Sequence, residues 1–66
     1  MFVPQSMRIG TLVRLHYWAQ ARPFMVARVD FIDDERRYFV AGNNRYDSIG
    51  QKIDNGRVDR RWIAEL

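Results

Sequence analysis

Apolar and polar residues alternate along much of this chain with a two-residue period, which is typical of strands with one buried face. In the first such segment Val13 and Leu15 alternate with polar side chains. In the second, every other residue from Met25 to Phe31 is apolar. No window of about 11 residues has a clean helical period. The pattern therefore predicts an all-β protein with five strands, at residues 11–17, 24–32, 36–41, 45–53 and 57–63.

Turn-forming residues separate these predicted strands. Residues 33–35, 42–44 and 54–56 are rich in Asp, Asn and Gly and recur about every ten residues. Asn55-Gly56 is the strongest turn signal, because both residue types tolerate the positive φ of a tight hairpin. Gly50 is expected to mark a bulge in the fourth strand. Whether a short 3₁₀ turn at residues 59–61 interrupts the fifth strand is left open.

Five short strands are too few for a two-sheet sandwich, but they can close into a strongly bent barrel that removes exposed edges. We therefore expect one domain, a small barrel at residues 10–66, after an N-terminal leader at residues 1–9. Residues 18–23 form the long loop between the first two strands. Either Met1 or Met7 can be the start of the native chain.

The end of the chain resembles the closing segment of Src-homology-3 (SH3) domains, at Gly56, Val58, Trp62, Ile63 and Leu66. Residues 10–15 and 23–29 are similar to the first two strands of SH3-like, Tudor and PWWP barrels. The resemblance implies a five-stranded SH3-like barrel. Asp59 stands where signalling SH3 domains have a proline of their peptide groove, so recognition of proline-rich peptides is not implied.

Composition narrows the classes of protein that fit. Hydrophobic residues make up 47% of the 66 residues, which argues against disorder. The chain has no cysteine and one histidine, so disulfides are excluded and a zinc site would need several carboxylate ligands. We therefore expect no cofactor. The apolar runs are far shorter than the ~20 residues of a membrane-spanning helix, and we expect a cytoplasmic protein without a membrane partner.

Arginine and aromatic side chains are the most informative candidates for binding. The net charge is +3, and ten of the 11 basic residues are arginine. The guanidinium group binds phosphate bidentately and stacks on rings, which favours a nucleic-acid surface. Trp18, Phe24 and Trp62 are expected to converge where the long loop meets the last strand, unless these rings complete the core. The candidate residues for binding nucleic acid or a partner are Arg14, Trp18, Phe24, Arg28, Arg45, Arg57, Arg60, Arg61 and Trp62.

Two other groups carry weaker signals for chemistry. His16 lies on the polar face of its strand with no serine or cysteine nearby in sequence, so we expect a surface histidine and not a catalyst. The acidic turn at residues 33–35 is followed by Arg36-Arg37, the pattern of a solvated hairpin with local charge balance. We therefore expect no catalytic and no metal-binding residues.

Three hypotheses for function follow. The favoured one is a small non-enzymatic module that binds nucleic acid, and the second is a protein-interaction or accessory module of the phage, plasmid or mobile-element type. The third is an enzyme similar to the plasmid-borne dihydrofolate reductases, SH3-like barrels with an active pore between subunits. The chain lacks that family's Val-Gln-Ile-Tyr motif; residues 48–51 are the nearest segment. A homo-oligomer is expected, because so short a chain has a stability margin of roughly 3–5 kcal/mol.

Overall fold

A computed structural model describes residues 3–66, which form a closed barrel of antiparallel strands. The strands are β1 (Leu12–Tyr17), β2 (Met25–Ile32), β3 (Tyr38–Ala41), β4 (Asn44–Asp47), β5 (Gln51–Asp54) and β6 (Arg57–Glu65). Each strand pairs with the next, and β6 pairs back with β1 to close the ring. The predicted all-β class and closed barrel are confirmed. Within residues 3–66, no helix has the length and apolar character needed to cross a membrane.

The barrel has six strands and not five, because the predicted fourth strand is divided. Residues 48–50 form a turn between β4 and β5, organised by the Asp47 carboxylate, which accepts hydrogen bonds from the backbone N–H of Ile49 at 3.0 Å and of Gln51 at 2.9 Å. The N–H of Gly50 also donates to the Asp47 carbonyl at 3.0 Å. Gly50 therefore belongs to a tight turn, and its prediction as a bulge within one strand was wrong.

The structure decides the open question at residues 59–61 of the last strand, which are extended and contain no 3₁₀ turn. Here the register between β5 and β6 shifts: Lys52 pairs with Asp59, whereas the preceding residue, Gln51, pairs with Ile63. Residues 60–62 of β6 therefore form a bulge in the β5–β6 ladder. On its other edge β6 pairs with β1 from Trp62 to Glu65. Ile63 therefore pairs with both neighbours, Gln51 of β5 and His16 of β1.

The hairpin turns follow the sequence closely. Asn55 and Gly56 have φ values of 51° and 79°, and Gly42 and Asn43 have values of 57° and 65°. Positive φ at both central residues is the conformation that matches the twist of a two-residue hairpin. The turn signals at 42–44 and 54–56 therefore predicted both the positions and the backbone conformations of these hairpins.

The core is small and combines residues from most of the barrel. Phe39 of β3 and Tyr46 of β4 stack at its centre with ring centroids 5.5 Å apart. In β2 the alternation holds only in part: Val29 is buried, but Phe31 is 47% exposed because a bulge between the two shifts the register against β3. The buried apolar residues are Val3, Met7, Val13, Leu15, Val29, Phe39, Ala41, Tyr46 and Ala64.

Two of these core residues, Val3 and Met7, precede the strands and lie within residues 1–9, which were predicted to be an N-terminal leader. Val3 is 1% and Met7 3% exposed. The backbone N–H of Val3 donates to the carbonyl of Arg36 at 2.7 Å, and the Arg36 guanidinium donates to the carbonyls of Val3, Pro4 and Met7. This arginine therefore fastens residues 3–7 to the turn between β2 and β3.

The same turn contains a buried carboxylate. Asp33 is 9% exposed and accepts hydrogen bonds from the backbone N–H groups of Glu35 and Arg37 and from the Arg37 side chain. The side-chain hydrogen bond from Arg37 is the main cause that lowers the pKa of Asp33. The predicted charge balance is present. Asp33, however, is buried and stabilises the turn through these hydrogen bonds, so that of the three acidic residues only Asp34 and Glu35 are exposed.

Replacing Gly50 by alanine tests the packing of the β4–β5 turn on β6. An added Cβ would overlap the carbonyl oxygen of Ala64, and φ at Gly50 is +89°. Gly56 is the matched control, with φ +79° and open space around the added carbon. We expect Gly56→Ala to cost about 1–2 kcal/mol and Gly50→Ala at least about twice as much in urea denaturation. Equal costs would contradict the close approach of the turn to β6.

Replacing Val3 by alanine tests whether the N-terminal segment belongs to the core. Loss of two buried methyl groups is expected to lower the free energy of unfolding by about 2 kcal/mol. Val26, which is 55% exposed on β2, is the matched control, and Val26→Ala should change stability by less than about 0.5 kcal/mol. If both variants unfold at the wild-type urea concentration, Val3 is not a core residue in solution.

Candidate functional site

Four aromatic rings meet beside the seam between β1 and β6, and we call Tyr17, Trp18, Phe24 and Trp62 the aromatic cluster. Tyr17 and Trp62 are direct partners across the β1–β6 ladder, with ring centroids 4.8 Å apart. Phe24 stands edge-on to Trp62 at 5.2 Å. Trp18 lies 6.3 Å from Tyr17. The rings therefore form a row from Phe24 through Trp62 and Tyr17 to Trp18.

Backbone hydrogen bonds hold the loop that carries the outer two rings. The N–H of Trp18 donates to the carbonyl of Arg61 at 2.8 Å, which extends the contact between β1 and β6 beyond the strand. At the other end of the loop, the N–H of Phe24 donates to the carbonyl of Leu15 at 2.7 Å. The long loop is thus anchored at both ends. Of its two aromatic residues, Trp18 lies next to Tyr17 and Phe24 next to Trp62.

The outer rings of the row are exposed and the inner rings are not. Trp18 is 71% and Phe24 55% exposed, whereas Tyr17 and Trp62 are half-buried. Trp18, Phe24 and Trp62 do converge, with Tyr17 as the link between Trp18 and the other two. Tyr17 is absent from the sequence-based candidates, because its place in the row depends on the register between β1 and β6.

A groove lined by charged residues adjoins the cluster, at the β5–β6 hairpin. We call it the hairpin groove; it has a volume of about 640 Å³ and is lined by Asp54, Asn55, Arg57, Val58, Asp59, Arg60 and Arg61. It therefore contains three of the predicted arginines. It is joined to the aromatic cluster through the backbone of Arg61, which accepts the hydrogen bond from Trp18.

The three arginines of the hairpin groove differ in their pairing. Arg61 donates from Nε and Nη2 to the two carboxylate oxygens of Asp59 at 3.0 Å each. This side-chain hydrogen bonding is the largest cause that lowers the pKa of Asp59 and raises the pKa of Arg61. Within residues 3–66, neither Arg57 nor Arg60 forms an ion pair with a carboxylate. Their charges are available to an anionic ligand.

A lysine that was not among the sequence-based candidates also contacts the cluster. The Nζ atom of Lys52 lies 5.4 Å from the ring centroid of Trp62, within the range of a cation–π interaction. Its position on β5 gave no local signal, since the contact depends on how β5 pairs with β6. Lys52 adds a third cation without a carboxylate partner among the described residues.

Three predicted arginines lie elsewhere on the barrel. Arg14 and Arg28 share the outer face of β1 and β2, where Arg14 is paired with Glu65 at 3.1 Å and Arg28 donates to the Gly10 carbonyl. Arg45 is on β4, with its guanidinium carbon 4.7 Å from the ring centroid of Tyr38. The nine candidates therefore divide into six at the cluster and hairpin groove and three outside them.

His16 lies on the outer part of the same seam and takes no part in the cluster. Its Nε2 atom is 3.6 Å from Glu65 Oε1, and its side chain is 30% exposed. That nitrogen is buried and has no hydrogen-bond partner among residues 3–66. Glu65 is shared with Arg14, so both basic side chains of β1 approach one carboxylate of β6.

Similarity to known proteins does not assign a role to this surface. Comparisons with protein-family models, with curated proteins and with solved structures find no match to the chain. The chemistry of the cluster and the groove is therefore inferred from their own residues: exposed rings, unpaired cations and one neutralised arginine.

The Asp59–Arg61 pair gives a testable dependence of stability on pH. Because the pKa of Asp59 is lowered on folding, its ionised form stabilises the fold above the ordinary value of 3.8, and this contribution is lost as pH falls through the folded-state pKa. Asp59→Asn should therefore lower the urea midpoint near neutral pH, with a difference from wild type that shrinks below pH 3.8.

Asp54 is the matched control, because it lines the same groove without a hydrogen bond to an arginine among the described residues. Asp54→Asn should leave the midpoint near its wild-type value over the same pH range. A pH-independent effect of Asp59→Asn would show that its carboxylate does not act through the ion pair.

Proposed function

We propose that this protein is a small non-enzymatic module that binds nucleic acid through the aromatic cluster and the hairpin groove. The observation that carries the proposal is the placement of two exposed rings, Trp18 and Phe24, in a cluster that Lys52 contacts and that the hairpin groove adjoins. Within residues 3–66, Lys52 and the groove residues Arg57 and Arg60 have no carboxylate partner. Rings offer stacking surfaces to bases at ~1–3 kcal/mol per base. Arginine forks match the geometry of phosphate oxygens.

The scaffold of this module is proposed to be an SH3-like barrel. Supporting features are the small closed antiparallel barrel and the likeness of residues 56–66 to the closing segment of SH3 domains. The division of the expected fourth strand at Gly50 accounts for the sixth strand without altering the order of the others. Asp59 holds Arg61 at the place where a signalling SH3 domain has its groove proline.

The geometry favours a ligand with both flat apolar groups and regularly spaced anions. Cations alone would suit any acidic surface, and rings alone would suit an apolar one. Here Lys52 lies against Trp62, and Trp18 is hydrogen-bonded to the backbone of Arg61, so both kinds of group share one surface. Nucleic acid supplies both, because its bases have π-faces and its backbone has a phosphate at every nucleotide.

Charge removal in the hairpin groove tests this proposal. The double variant Arg57→Ala with Arg60→Ala should bind mixed-sequence DNA and RNA at least about 10-fold more weakly at ~50 mM salt, with a log–log salt slope shallower by roughly one to two units. Fluorescence anisotropy over a salt series measures both. The single variant Arg60→Ala, which should also weaken binding, is compared with Arg8→Ala, because each removes one charge. Arg8 is exposed and precedes β1, whereas the cluster lies at the end of that strand.

Wild-type protein that does not bind nucleic acid at ~50 mM salt, or whose affinity does not respond to salt, would contradict the proposal. An equal effect of Arg8→Ala would show that net charge, and not the groove, is responsible.

A protein-interaction module is the second candidate, and two other features of the surface favour it. Leu12 and Val26 are 52% and 55% exposed on the outer face of β1 and β2. An apolar recess of about 340 Å³ also opens between Met7, Phe39 and Leu66. Exposed apolar area of this kind suits a protein partner or a second copy of the chain. Capture of one stoichiometric partner that survives nuclease treatment would favour this function.

A further inference from the structure

We infer that the ligand of the aromatic cluster is a single-stranded nucleic acid, and that duplex is disfavoured at this surface. The inference rests on the proposed function and names its substrate class. Four features of the described residues support it: which rings are exposed, how the rings are spaced, how few cations surround them, and how the surface is held in place by hydrogen bonds.

The exposed rings can reach bases only in an unpaired strand. Trp18 and Phe24 are the two most exposed aromatic residues of the described chain, at 71% and 55%. In a duplex each base is stacked on its neighbours, so its flat face is covered until the base is flipped out at an energetic cost. A single strand exposes base faces without that cost, and stacking on aromatic side chains is the usual way proteins bind it.

The arrangement of the row allows more than one base of the same strand to stack. Successive ring centroids are separated by 5.2, 4.8 and 6.3 Å from Phe24 to Trp18. The inner pair, Trp62 and Tyr17, belongs to paired strands and is half-buried, and each of its rings contacts one outer ring. The two exposed rings, Phe24 and Trp18, can therefore each stack with one base of the same strand.

The charges at this surface suit a few phosphates and not the two backbones of a duplex. Within residues 3–66, Lys52, Arg57 and Arg60 have no carboxylate partner, whereas Arg61 is neutralised by Asp59. Arg22, which is exposed in the loop that carries Trp18 and Phe24, has none either. Asp54 lines the same groove and adds negative charge. A second strand would bring its phosphates against these carboxylates without meeting further unpaired cations in the groove.

The surface is also held in place before any ligand arrives. The Arg61 side chain is fixed by two hydrogen bonds to Asp59, and its carbonyl accepts the N–H of Trp18. Less conformational entropy is therefore lost when a strand binds, which favours a flexible ligand that must itself become ordered.

The test compares one labelled DNA strand of about 16 nucleotides, free and annealed to its complement, by fluorescence anisotropy. We expect at least about 10-fold tighter binding of the free strand. Trp18→Ala should weaken single-strand binding by roughly 5- to 100-fold, the equivalent of the loss of one stacked base, and leave duplex binding unchanged. Three to four neutralised phosphates predict a log–log salt slope of roughly −2 to −3 for the single strand.

The matched control is Phe31→Ala, since Phe31 is 47% exposed on β2, outside the cluster. Its single-strand affinity should equal that of wild type. Phe24→Ala provides a second cluster variant, and circular dichroism checks that each variant is folded.

Three results would overturn the inference, and they differ in what else they reject. Duplex binding as tight as single-strand binding, or equal losses in Trp18→Ala and Phe31→Ala, would reject the single-strand preference while leaving nucleic-acid binding in place. If the protein binds neither the single strand nor the duplex, the proposed function itself is rejected.

Discussion

The pairing of β6 with two neighbours is the constraint on which the rest of the molecule depends. Its first residues pair with β5 and its last residues pair with β1, so this strand closes the barrel. Ile63 pairs with Gln51 of β5 on one edge and with His16 of β1 on the other. On the β5 edge the register shifts at a bulge between Asp59 and Ile63. The Asp59 carboxylate accepts the N–H of Arg61 within that bulge and helps to fix its shape.

The candidate site is a direct consequence of this closure. The β1–β6 register places Trp62 opposite Tyr17, and the end of the same ladder brings the carbonyl of Arg61 to the N–H of Trp18. The β4–β5 turn also packs on β6, where Gly50 accepts the N–H of Ala64. A change that loosened this strand would therefore affect barrel stability and the aromatic row together.

A core this small uses residues from outside the strands. A chain of this length buries only about 60% of the surface that it would expose when unfolded, so each additional buried side chain matters. Val3 and Met7 fill the core from the N-terminal segment, held there by the guanidinium of Arg36. Arg36 itself has φ 56°, a left-handed backbone conformation, in the turn between β2 and β3.

Local pattern determined the strand class, the buried positions Val13 and Leu15, and the hairpin at Asn55-Gly56, because side-chain alternation and tolerance of positive φ act between neighbouring residues. Only the tertiary structure decided that Phe31 is exposed and that Tyr17 joins the aromatic row. These outcomes depend on a bulge and on the register between β1 and β6, whose paired residues lie far apart in sequence. No local period encodes such a register, since it is set by barrel closure.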